Sequence, residues 1–478
     1  MRARLTKAKQ RRLQQLSKLN GGELPLFVWI FPLEAFAEYT GFAILEGRPI
    51  VSADLRASDS GGFFVVAGCS LGRCVGKSPG QFRERLRSVG EPKGTSGSKA
   101  ENREIIVVGG SAAGLYTAAK LARGGRAVRV LDSKPELDPA PRSLIVTHHF
   151  RKLLGPAAAA SVQNEIRRFE LFTDGRSAQI ALRDPDLIIE RAKLIPALAA
   201  EGKHHGAKFN FDTRFLGLGP NARALRLEVE SGRQKEELHA DHVIGADGAT
   251  SRVARAAGWP PVETVPLVQA IVNLPRDCRP DTTRVWFVPD DTPYFYWLIP
   301  ENEHRGALGI IGEGSGQETK RRIEQFLEKK GMAALEWQGA RIPVYRKWVP
   351  VRRRVGNGEV FLVGDAAAQV KVSTVGGIVT GFRGAQGVAD ALLEDSGSTE
   401  LRALRRELGT HWLIRRALHY FEQKDYSQLV DLLNDSTRES LGEINRDEST
   451  RLLWNVIRRQ PRLVLMGLRG LLMGKRAQ

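Results

Sequence analysis

The pattern of apolar residues predicts a strand, a helix and a second strand near residues 104–132. Ile105–Val108 is a run of four β-branched apolar residues, typical of a short parallel strand that is buried on both faces. Gly109 ends the run, and Ser111–Arg123 carries apolar residues at helical spacing before two glycines that let the chain leave the helix. Ala127–Leu131 predicts the second strand, which ends at Asp132.

Two later stretches repeat the order of strand, glycine-bearing turn and helix. In the first, a short strand at 242–244 ends at GADG and precedes a helix capped by Thr250 or Ser251. The second spans residues 361–392, where a strand leads through a small-residue run to a glycine pair and a further helix. The three turns together indicate one α/β domain that is assembled from separate parts of the chain.

The remaining chain predicts a sheet and a helical region. Residues 263–349 contain four candidate strands and one amphipathic helix, Glu318–Lys330, which suits a substrate-binding sheet. Residues 396–478 read as a series of helices, and the last of these is short and apolar apart from two arginines. An earlier helix is predicted from about Pro185 to Glu201, with Arg191 on it.

The glycines of the first turn suit a dinucleotide. Close approach of the backbone lets a pyrophosphate accept hydrogen bonds from free N–H groups at the start of the helix, and a carboxylate after the second strand accepts from ribose hydroxyls. Asp132 occupies that place and repels a 2′-phosphate, so NADP is not expected in this site. The predicted pyrophosphate contacts are Gly109, Gly110, Ser111, Ala112, Ala113 and Gly114.

The later turns indicate a flavin. An aspartate at the carboxyl end of a strand accepts from a ribityl hydroxyl, although the same residue could serve only as a helix cap. A helix that starts at two glycines directs its N–H groups at a ring carbonyl that becomes negative on reduction. A basic residue before the third strand would meet the phosphates or the ring edge, or lie in solvent. The residues concerned are Arg142, Asp247, Gly248, Gly364, Asp365, Gly376 and Gly377.

The chain is strongly basic, with a formal charge of +18 over 478 residues. This charge indicates an acidic partner, either nucleic acid or an anionic membrane surface. No nucleic-acid-binding motif accompanies it, which makes nucleic acid the weaker hypothesis. The basic C-terminal region, which has apolar stretches, suits peripheral membrane association. An arginine-rich solvated surface without a partner is the remaining interpretation.

The cysteine content and the hydropathy of the sequence indicate the cellular compartment of the protein. Cys69, Cys74 and Cys278 have no metal-ligand spacing, so the sequence predicts neither a disulfide framework nor a metal site and fits the reducing cytoplasm. No apolar stretch reaches 18 residues, so no membrane span is expected.

The three turns together resemble those of the glutathione-reductase-type flavoproteins, which include aromatic-ring hydroxylases, flavin-dependent halogenases and geranylgeranyl reductases. GGSAAG with Asp132, GADGATSR and LVGDAAAQVK are similar to the adenosine-diphosphate site, the middle DG motif and the late GD motif of that class. The resemblance implies FAD and an α/β fold, in which a Rossmann-like FAD-binding domain carries an inserted mixed β-sheet substrate domain and a helical C-terminal region. The expected divisions are a basic extension at 1–101, FAD-binding parts at 102–262 and 350–395, the substrate domain at 263–349 and the helical region at 396–478.

Two stretches resemble the geranylgeranyl reductase branch in particular. VKVSTVGGI, residues 370–378, is similar to V-K-P-T-T-G-G-G-I, with Val372 in place of the proline and Val375 in place of one glycine. PYFYWLIP, residues 293–300, resembles the pocket motif Y-x-W-x-F-P and is also close to the W-x-W-x-I-P of halogenases, but no halogenase lysine is assignable. The resemblance implies substrate contacts at Phe295, Trp297 and Ile299.

The resemblance implies an FAD-dependent oxidoreductase that reduces carbon–carbon double bonds of an apolar, polyprenyl-like substrate, with electrons from NAD(P)H or another donor. Tyr294 and Tyr296 are the candidate proton donors. One alternative is an NAD(P)H-dependent monooxygenase or halogenase that acts on an aromatic substrate. Another is a non-catalytic flavin-binding scaffold at a membrane or on nucleic acid. The sequence leaves the oligomeric state open.

Overall fold

The computed structural model describes residues 44–45, 48–49, 54–57, 63–66, 104–221, 224–394 and 398–474. The chain forms two compact units, Met1–Ser96 and Gly97–Gln478. The rest of the predicted N-terminal extension, including Cys69 and Cys74, lies outside the described residues. The first unit contains two antiparallel strand pairs, β1 (Ile44–Leu45) with β2 (Arg48–Pro49) and β3 (Asp54–Ala57) with β4 (Phe63–Val66).

The second unit mixes strands and helices along its whole length. Its strands are β5 (Ile105–Val108), β6 (Val128–Leu131), β7 (Ser143–Val146), β8 (Val162–Thr173), β9 (Arg176–Glu190), β10 (Lys208–Asn210), β11 (Thr213–Pro220), β12 (Leu225–Ser231), β13 (Gln234–Ala240), β14 (His242–Gly245), β15 (Thr264–Asn273), β16 (Thr282–Trp286), β17 (Tyr296–Pro300), β18 (Arg305–Ile311), β19 (Ala334–Pro343), β20 (Arg352–Val355) and β21 (Gly358–Leu362). Its helices are α1 (Ala112–Arg123), α2 (His149–Leu154), α3 (Pro156–Ala159), α4 (Arg191–His204), α5 (Arg252–Ala256), α6 (Gly316–Lys329), α7 (Ile378–Glu394), α8 (Thr399–Leu418), α9 (Gln423–Asp431), α10 (Asp435–Glu443), α11 (Ser449–Arg459) and α12 (Pro461–Gly474).

A six-stranded sheet carries the three predicted turns. Its order is β10-β6-β5-β14-β21-β20, and every neighbouring pair is parallel except β21 with β20. The apolar residues of β5 are buried in the middle of this sheet, and α1 packs against α4 and α7. Parallel strands end at the same edge of a sheet, so the turns after β5, β14 and β21 lie together. The predicted α/β fold is confirmed.

A second, eight-stranded sheet has the order β19-β15-β18-β17-β16-β8-β9-β7. Strands β15 to β19 come from the predicted substrate segment, 263–349, whereas β7, β8 and β9 come from residues 143–190. The sheet therefore extends beyond the predicted segment. Helix α6 packs on β15, β18 and β19, so one face of the sheet is covered by this helix.

The helix predicted from Pro185 to Glu201 begins later than expected. Residues as far as Glu190 continue β9, where Ile188 and Ile189 pair with β7 and β8, and α4 starts only at Arg191. Pro185 falls in a stretch where the pairing of β8 with β9 is interrupted, which a proline tolerates. Pairing with distant strands therefore overrides the local pattern.

Five helices, α8 to α12, lie in the described residues 398–474. The sequence pattern predicts four of them, at Leu401–Phe421, Asp425–Leu433, Arg451–Arg459 and Pro461–Met473, and misses α10. Helix α10 packs on β9 so closely that a Cβ added to Gly442 would clash with the carbonyl oxygen of Ala181. None of the helices in the described ranges combines the length and the hydropathy that a membrane crossing requires.

Candidate functional site

The turn after β5 brings three backbone segments into direct contact. Gly109 has φ +108°, and a Cβ there would lie 2.6 Å from the carbonyl oxygen of Ala246. A Cβ on Gly114 would lie 2.4 Å from the oxygen of Gly109. Ser111 caps α1, since its hydroxyl accepts from the N–H of Gly114 at 3.3 Å. Only small residues fit here, and the start of α1 is left open to a ligand.

Asp132 closes one side of this turn. Its Oδ2 accepts from the N–H of Gly110 at 2.7 Å, and its Oδ1 accepts from the N–H of Lys134 at 2.9 Å. A carboxylate oxygen can accept more than one hydrogen bond, so both atoms retain capacity for ribose hydroxyls. The structure therefore places Asp132 where the sequence predicts it, and shows that it also fixes the glycine turn.

A cavity of about 770 Å³ opens at this edge of the sheet. It is lined by the turns after β5, β6 and β14 and by the first residue of α4, namely Gly109, Gly110, Ser111, Asp132, Asp247, Gly248 and Arg191 among others. The cavity is large enough for a sizeable organic ligand. Of the predicted adenosine-diphosphate residues, Gly109, Gly110, Ser111 and Asp132 line this space, whereas Ala112, Ala113 and Gly114 do not.

Asp247 has a structural role in this cavity wall. Its carboxylate accepts from the hydroxyl of Ser251 at 2.5 Å and from the backbone N–H groups of Arg252 and Val253 at 2.6 and 3.1 Å. Ser251 in turn accepts from the N–H of Ala254. Asp247 and Ser251 together cap α5, so the capping interpretation of this aspartate describes the geometry, and its cofactor contact stays a prediction.

The turn after β21 lies against the start of α1. Gly364 has φ +63°, and a Cβ there would lie 2.8 Å from the Cβ of Ala113. A Cβ on Gly381, one turn into α7, would lie 3.5 Å from the Cα of Gly364. The first and third predicted motifs are therefore in van der Waals contact, which brings Asp365 close to α1.

The carboxyl group of Asp365 lies close enough to two arginines for their charges to act on it. Burial raises the pKa of its carboxyl group, and the positive charges of Arg142 and Arg191 oppose that rise. Arg142 is held by its backbone, whose N–H donates to Glu190 at 2.8 Å, while its Nε is buried without a hydrogen-bond partner among the described residues. A phosphate or ribityl oxygen would satisfy this donor, so the cluster fits the middle of an FAD molecule.

Sequence reasoning named Arg191 only as a helix residue and missed its part in the site. Arg191 is the first residue of α4, directly after β9 of the eight-stranded sheet, and it lines the cavity from that side. Recognising it required the correct start of α4.

The loop that precedes α7 is held in one conformation by buried polar contacts. The N–H of Lys371 donates to the oxygen of Gly376 at 3.0 Å, and the Ser373 hydroxyl is 2.6 Å from Nδ1 of His411 on α8. A Cβ on Gly377 would lie 3.4 Å from Oδ1 of Asp365. The glycine pair that is predicted to meet the flavin ring is therefore adjacent to the aspartate that is predicted to meet the ribityl chain.

Lys371 and Asp447 form an ion pair that sequence reasoning did not find. Both side chains are buried, at 5% and 3% exposure, and the ammonium group donates to Oδ1 of Asp447. Burial alone would raise the pKa of Asp447, but the Lys371 charge and the hydrogen bonds of Thr147, His149 and Lys371 hold it well below its ordinary value. A lysine inside an otherwise apolar and small-residue run was the signal for this pair, whereas nothing in the sequence marked its distant partner.

The predicted substrate contacts and proton donors lie on both faces of the eight-stranded sheet. One apolar cluster contains Tyr294, Phe295 and Trp297. It also includes Val375 of the loop before α7. The Trp297 indole lies across Gly309, where an added Cβ would be 2.5 Å from the ring. This cluster therefore joins the sheet to the loop before α7.

Two predicted residues lie elsewhere. Ile299 is buried in a neighbouring cluster, against which Trp297 packs. Tyr296 is on the opposite face of the sheet, where its ring stacks on Phe326 of α6 at 4.0 Å and its hydroxyl donates to Asp291 at 2.9 Å. Alternation along the strand separates Tyr296 from Trp297, so the structure does not bring this tyrosine into the cluster at the loop.

Replacing Gly114 with alanine should abolish cofactor binding. The new Cβ would displace the Gly109 turn, and we expect FAD affinity to fall at least about tenfold, the equivalent of about 1.4 kcal/mol. The measurement is the ratio of visible flavin absorbance to protein, with circular dichroism as the check on folding. The matched control is Gly316→Ala, at an exposed helix start with no atom within 4 Å of the added Cβ. Full FAD occupancy in Gly114→Ala would contradict the assignment.

His411 should make the stability of the protein depend on pH. Burial, assisted by the Lys371 charge, lowers the pKa of His411 to about 3. As the pH decreases, the unfolded chain therefore binds a proton at His411 before the folded chain does. The free energy of unfolding falls below about pH 6.5, by up to about 1.4 kcal/mol per pH unit. Urea unfolding between about pH 6.5 and 5 should show this slope. The slope of the free energy of unfolding against pH should flatten in His411→Gln. It should persist in His204→Gln, which replaces an exposed ring.

The comparisons with known proteins agree with this geometry. The FAD binding domain family matches residues 102–397. Digeranylgeranylglycerophospholipid reductase 2 of Methanothermobacter thermautotrophicus is 26% identical over 355 residues, which cover 71% of this chain and 90% of that protein. Geranylgeranyl diphosphate reductase of Synechocystis is 31% identical over 224 residues, which cover 44% of this chain and 53% of that protein.

Solved structures show the same fold at low sequence identity. A geranylgeranyl bacteriochlorophyll reductase-like protein of Thermoplasma acidophilum has a TM-score of 0.63 at 19% identity, over 76% of this chain and 97% of that one. The flavin-dependent halogenase CmlS has a TM-score of 0.56 at 15% identity, over 74% and 76%. The match to the family model includes all three turns and the loop before α7. The chain therefore belongs to the FAD binding domain family, and it is an FAD-dependent oxidoreductase.

Proposed function

We propose that this protein reduces carbon–carbon double bonds in the polyprenyl chain of an apolar substrate. The observation that carries the proposal is the apolar cluster of Tyr294, Phe295, Trp297 and Val375. This cluster connects the loop before α7 to the eight-stranded sheet. Relatives that align over about 90% of their own length are named as reductases of geranylgeranyl chains, and this supports the same substrate class.

The chemistry of the cluster favours a hydrocarbon chain. Trp297 also packs against a second group of buried aliphatic residues, Ile166, Ile188, Ile271, Ile299 and Ala307. Two charged groups border these clusters, since the Arg415 guanidinium lies 4.7 Å from the Tyr294 ring and the Arg446 guanidinium 4.6 Å from the Phe169 ring. The apolar side chains between them offer dispersion contacts, which suit an isoprenoid chain.

The residues around the cofactor would orient it and control its charge. FAD, when bound and reduced, supplies a hydride to an alkene carbon. The N-terminus of α7 presents its free N–H groups at Gly377, where the helix dipole stabilises negative charge. Asp365, Arg142 and Arg191 would hold the ribityl and phosphate oxygens, and the apolar cluster excludes water from the reacting carbon.

Tyr294 is the better of the two candidate proton donors. Burial raises the pKa of its hydroxyl group, and the Arg415 charge opposes that rise only in part, so the hydroxyl is protonated at neutral pH. It belongs to the cluster that contains Val375, whereas the hydroxyl of Tyr296 is already bonded to Asp291 behind the sheet.

An anaerobic reoxidation experiment tests the proposed reaction. The protein is reduced with dithionite and mixed with geranylgeranyl diphosphate, and the fully saturated phytanyl diphosphate serves as the matched control. We expect the oxidised flavin spectrum to return only with the alkene, and mass spectrometry to detect the addition of two hydrogen atoms for each reduced bond. No reoxidation by the alkene, together with oxygen uptake that an aromatic compound stimulates, would contradict the proposal and favour a monooxygenase.

Trp297→Ala should impair the reduction without releasing FAD. We expect kcat/KM for the prenyl substrate to fall about ten- to hundredfold, because a large apolar side chain contributes about 1.5–3 kcal/mol of contact. The control is Trp337→Ala, which removes a 37% exposed indole from the same sheet. Equal activity in the two variants would show that the cluster does not bind the substrate.

A further inference from the structure

The last two helices carry an apolar surface that the described part of the protein does not cover. None of the large apolar side chains of α11, or of α12 as far as residue 471, is buried. Trp454 is 60% exposed, Leu465 67% and Leu468 38%. Isolated exposed residues are normal, but two consecutive helices with no buried large apolar side chain indicate that this surface meets another apolar phase.

The positions along α12 define which face is outward. Gly467 and Gly470 lie against α8, since an added Cβ would be 3.9 Å from the Cβ of Ala417 at Gly467 and 2.2 Å from its carbonyl oxygen at Gly470. With 3.6 residues per turn, Leu465 lies roughly opposite these glycines. Arg462, three residues before Leu465, shares its face, whereas Arg469, four residues after it, is paired with Asp425 of α9 at 3.6 Å.

Helix α11 repeats this combination. Trp454 and Arg458 are four residues apart and therefore lie on one face, and both are exposed. Arg458 and Arg462 form no ion pair within the described ranges. No aspartate or glutamate follows Glu448 in the sequence. Each outward face thus presents an apolar side chain beside a guanidinium group.

We propose that this C-terminal surface, formed by Trp454, Arg458, Arg462, Leu465 and Leu468, docks on a lipid bilayer that contains anionic lipids. Tryptophan and leucine would enter the boundary between head groups and acyl chains, and the arginines would contact the phosphates. The docking is peripheral, in keeping with helices that are too short and too charged to span.

The charge argues against a second copy of the chain as the occupant. Two such surfaces brought face to face would oppose arginine to arginine with no acidic residue of either helix between them. An apolar contact between copies would have to overcome this repulsion, whereas anionic lipid head groups neutralise it.

A series of aromatic side chains connects the inner side of α12, which faces α8, with the proposed pocket. A Cβ on Gly470 would lie 3.2 Å from the ring of Phe421, and Phe421 is 5.6 Å from Tyr426 between ring centroids. Tyr426 stacks on Phe287 at 4.6 Å, Phe287 contacts Phe295 at 6.3 Å, and Phe295 contacts Trp297 at 6.2 Å. If the proposed function holds, docking would bring the protein to the membrane that contains its prenyl substrate.

Vesicle co-sedimentation of the full-length holoenzyme tests the docking. Vesicles of phosphatidylcholine with phosphatidylglycerol should sediment the protein, and phosphatidylcholine alone should sediment much less of it. Added salt should weaken the binding, because the Debye length shortens from about 10 Å at 0.1 M to about 3 Å at 1 M. Equal partition into both kinds of vesicle, or none into either, would overturn the proposal.

Matched variants separate this surface from the overall charge. We expect the double variant Arg458→Gln and Arg462→Gln to lower the vesicle partition coefficient about thirtyfold. The control double variant Arg233→Gln and Lys235→Gln removes the same charge from the exposed turn before β13 and the exposed start of that strand, and it should change the partition coefficient less than about threefold. An equal loss in both would attribute binding to net charge alone and would contradict a defined surface.

The apolar contribution has its own control. Trp454→Ser with Leu465→Ser should reduce binding about tenfold or more, and Leu335→Ser, at a 51% exposed residue of β19, should not. Unchanged FAD content verifies that each variant is folded. Analytical ultracentrifugation without lipid completes the test, since a dimer that Leu465→Ser dissociates would identify a second copy as the occupant.

Docking and catalysis can fail separately. Vesicle binding requires no turnover, so it would survive if the proposed reaction were wrong. Conversely, reduction of detergent-solubilised substrate by the Trp454→Ser and Leu465→Ser variant, with loss of reduction only for vesicle-embedded substrate, would support both. Loss in detergent as well would overturn a role limited to docking.

Discussion

The nucleotide-binding half depends on direct contact between three turns that are far apart in the sequence. The first turn of α1 packs against the backbone at Ala246 on one side and against Gly364 on the other, and no space is left for larger side chains. The three strands that deliver these turns are parallel, so their ends coincide without further adjustment. The close packing has a chemical result, because small residues leave the backbone of the turns after β5 and β14 open to the cavity instead of covering it with side chains.

A second interaction connects this half to the C-terminal helices. The buried ion pair of Lys371 and Asp447 links the loop before α7 to the segment between α10 and α11. Burying two charges is costly, and breaking such a pair leaves one of them without compensation. The hydrogen bonds from Thr147 and His149 make this particular arrangement the favoured one. The conformation of the loop before α7 is therefore set in part by a residue 76 positions later in the chain.

Local patterns predicted the parts of the site that depend on neighbouring residues. The strand, glycine turn, helix and acid at 105–132 could be identified because each step follows from sequence periodicity and backbone freedom, and the strand, turn and helix that carry Asp365 and Gly377 were predicted in the same way. What the sequence could not supply were contacts between distant segments. The start of α4 at Arg191, the three strands that join the second sheet from residues 143–190, and Asp447 all depend on such contacts. Tyr296 illustrates a different limit, since alternation separates it from Trp297 but does not tell which face meets the cofactor.

The interleaved order of the eight-stranded sheet has a consequence for how the protein can be divided. β16 pairs in parallel with β8, and more than one hundred residues separate them along the chain. A fragment that ends before β15 would retain β7, β8 and β9 but leave unpaired the edge of β8 that bonds to β16, Arg168–Phe172, and such an edge invites aggregation. The polypeptide should therefore resist dissection into autonomous halves, and its assembly has to await synthesis of β16 and β17, which gives it the slow, non-local character of high contact order.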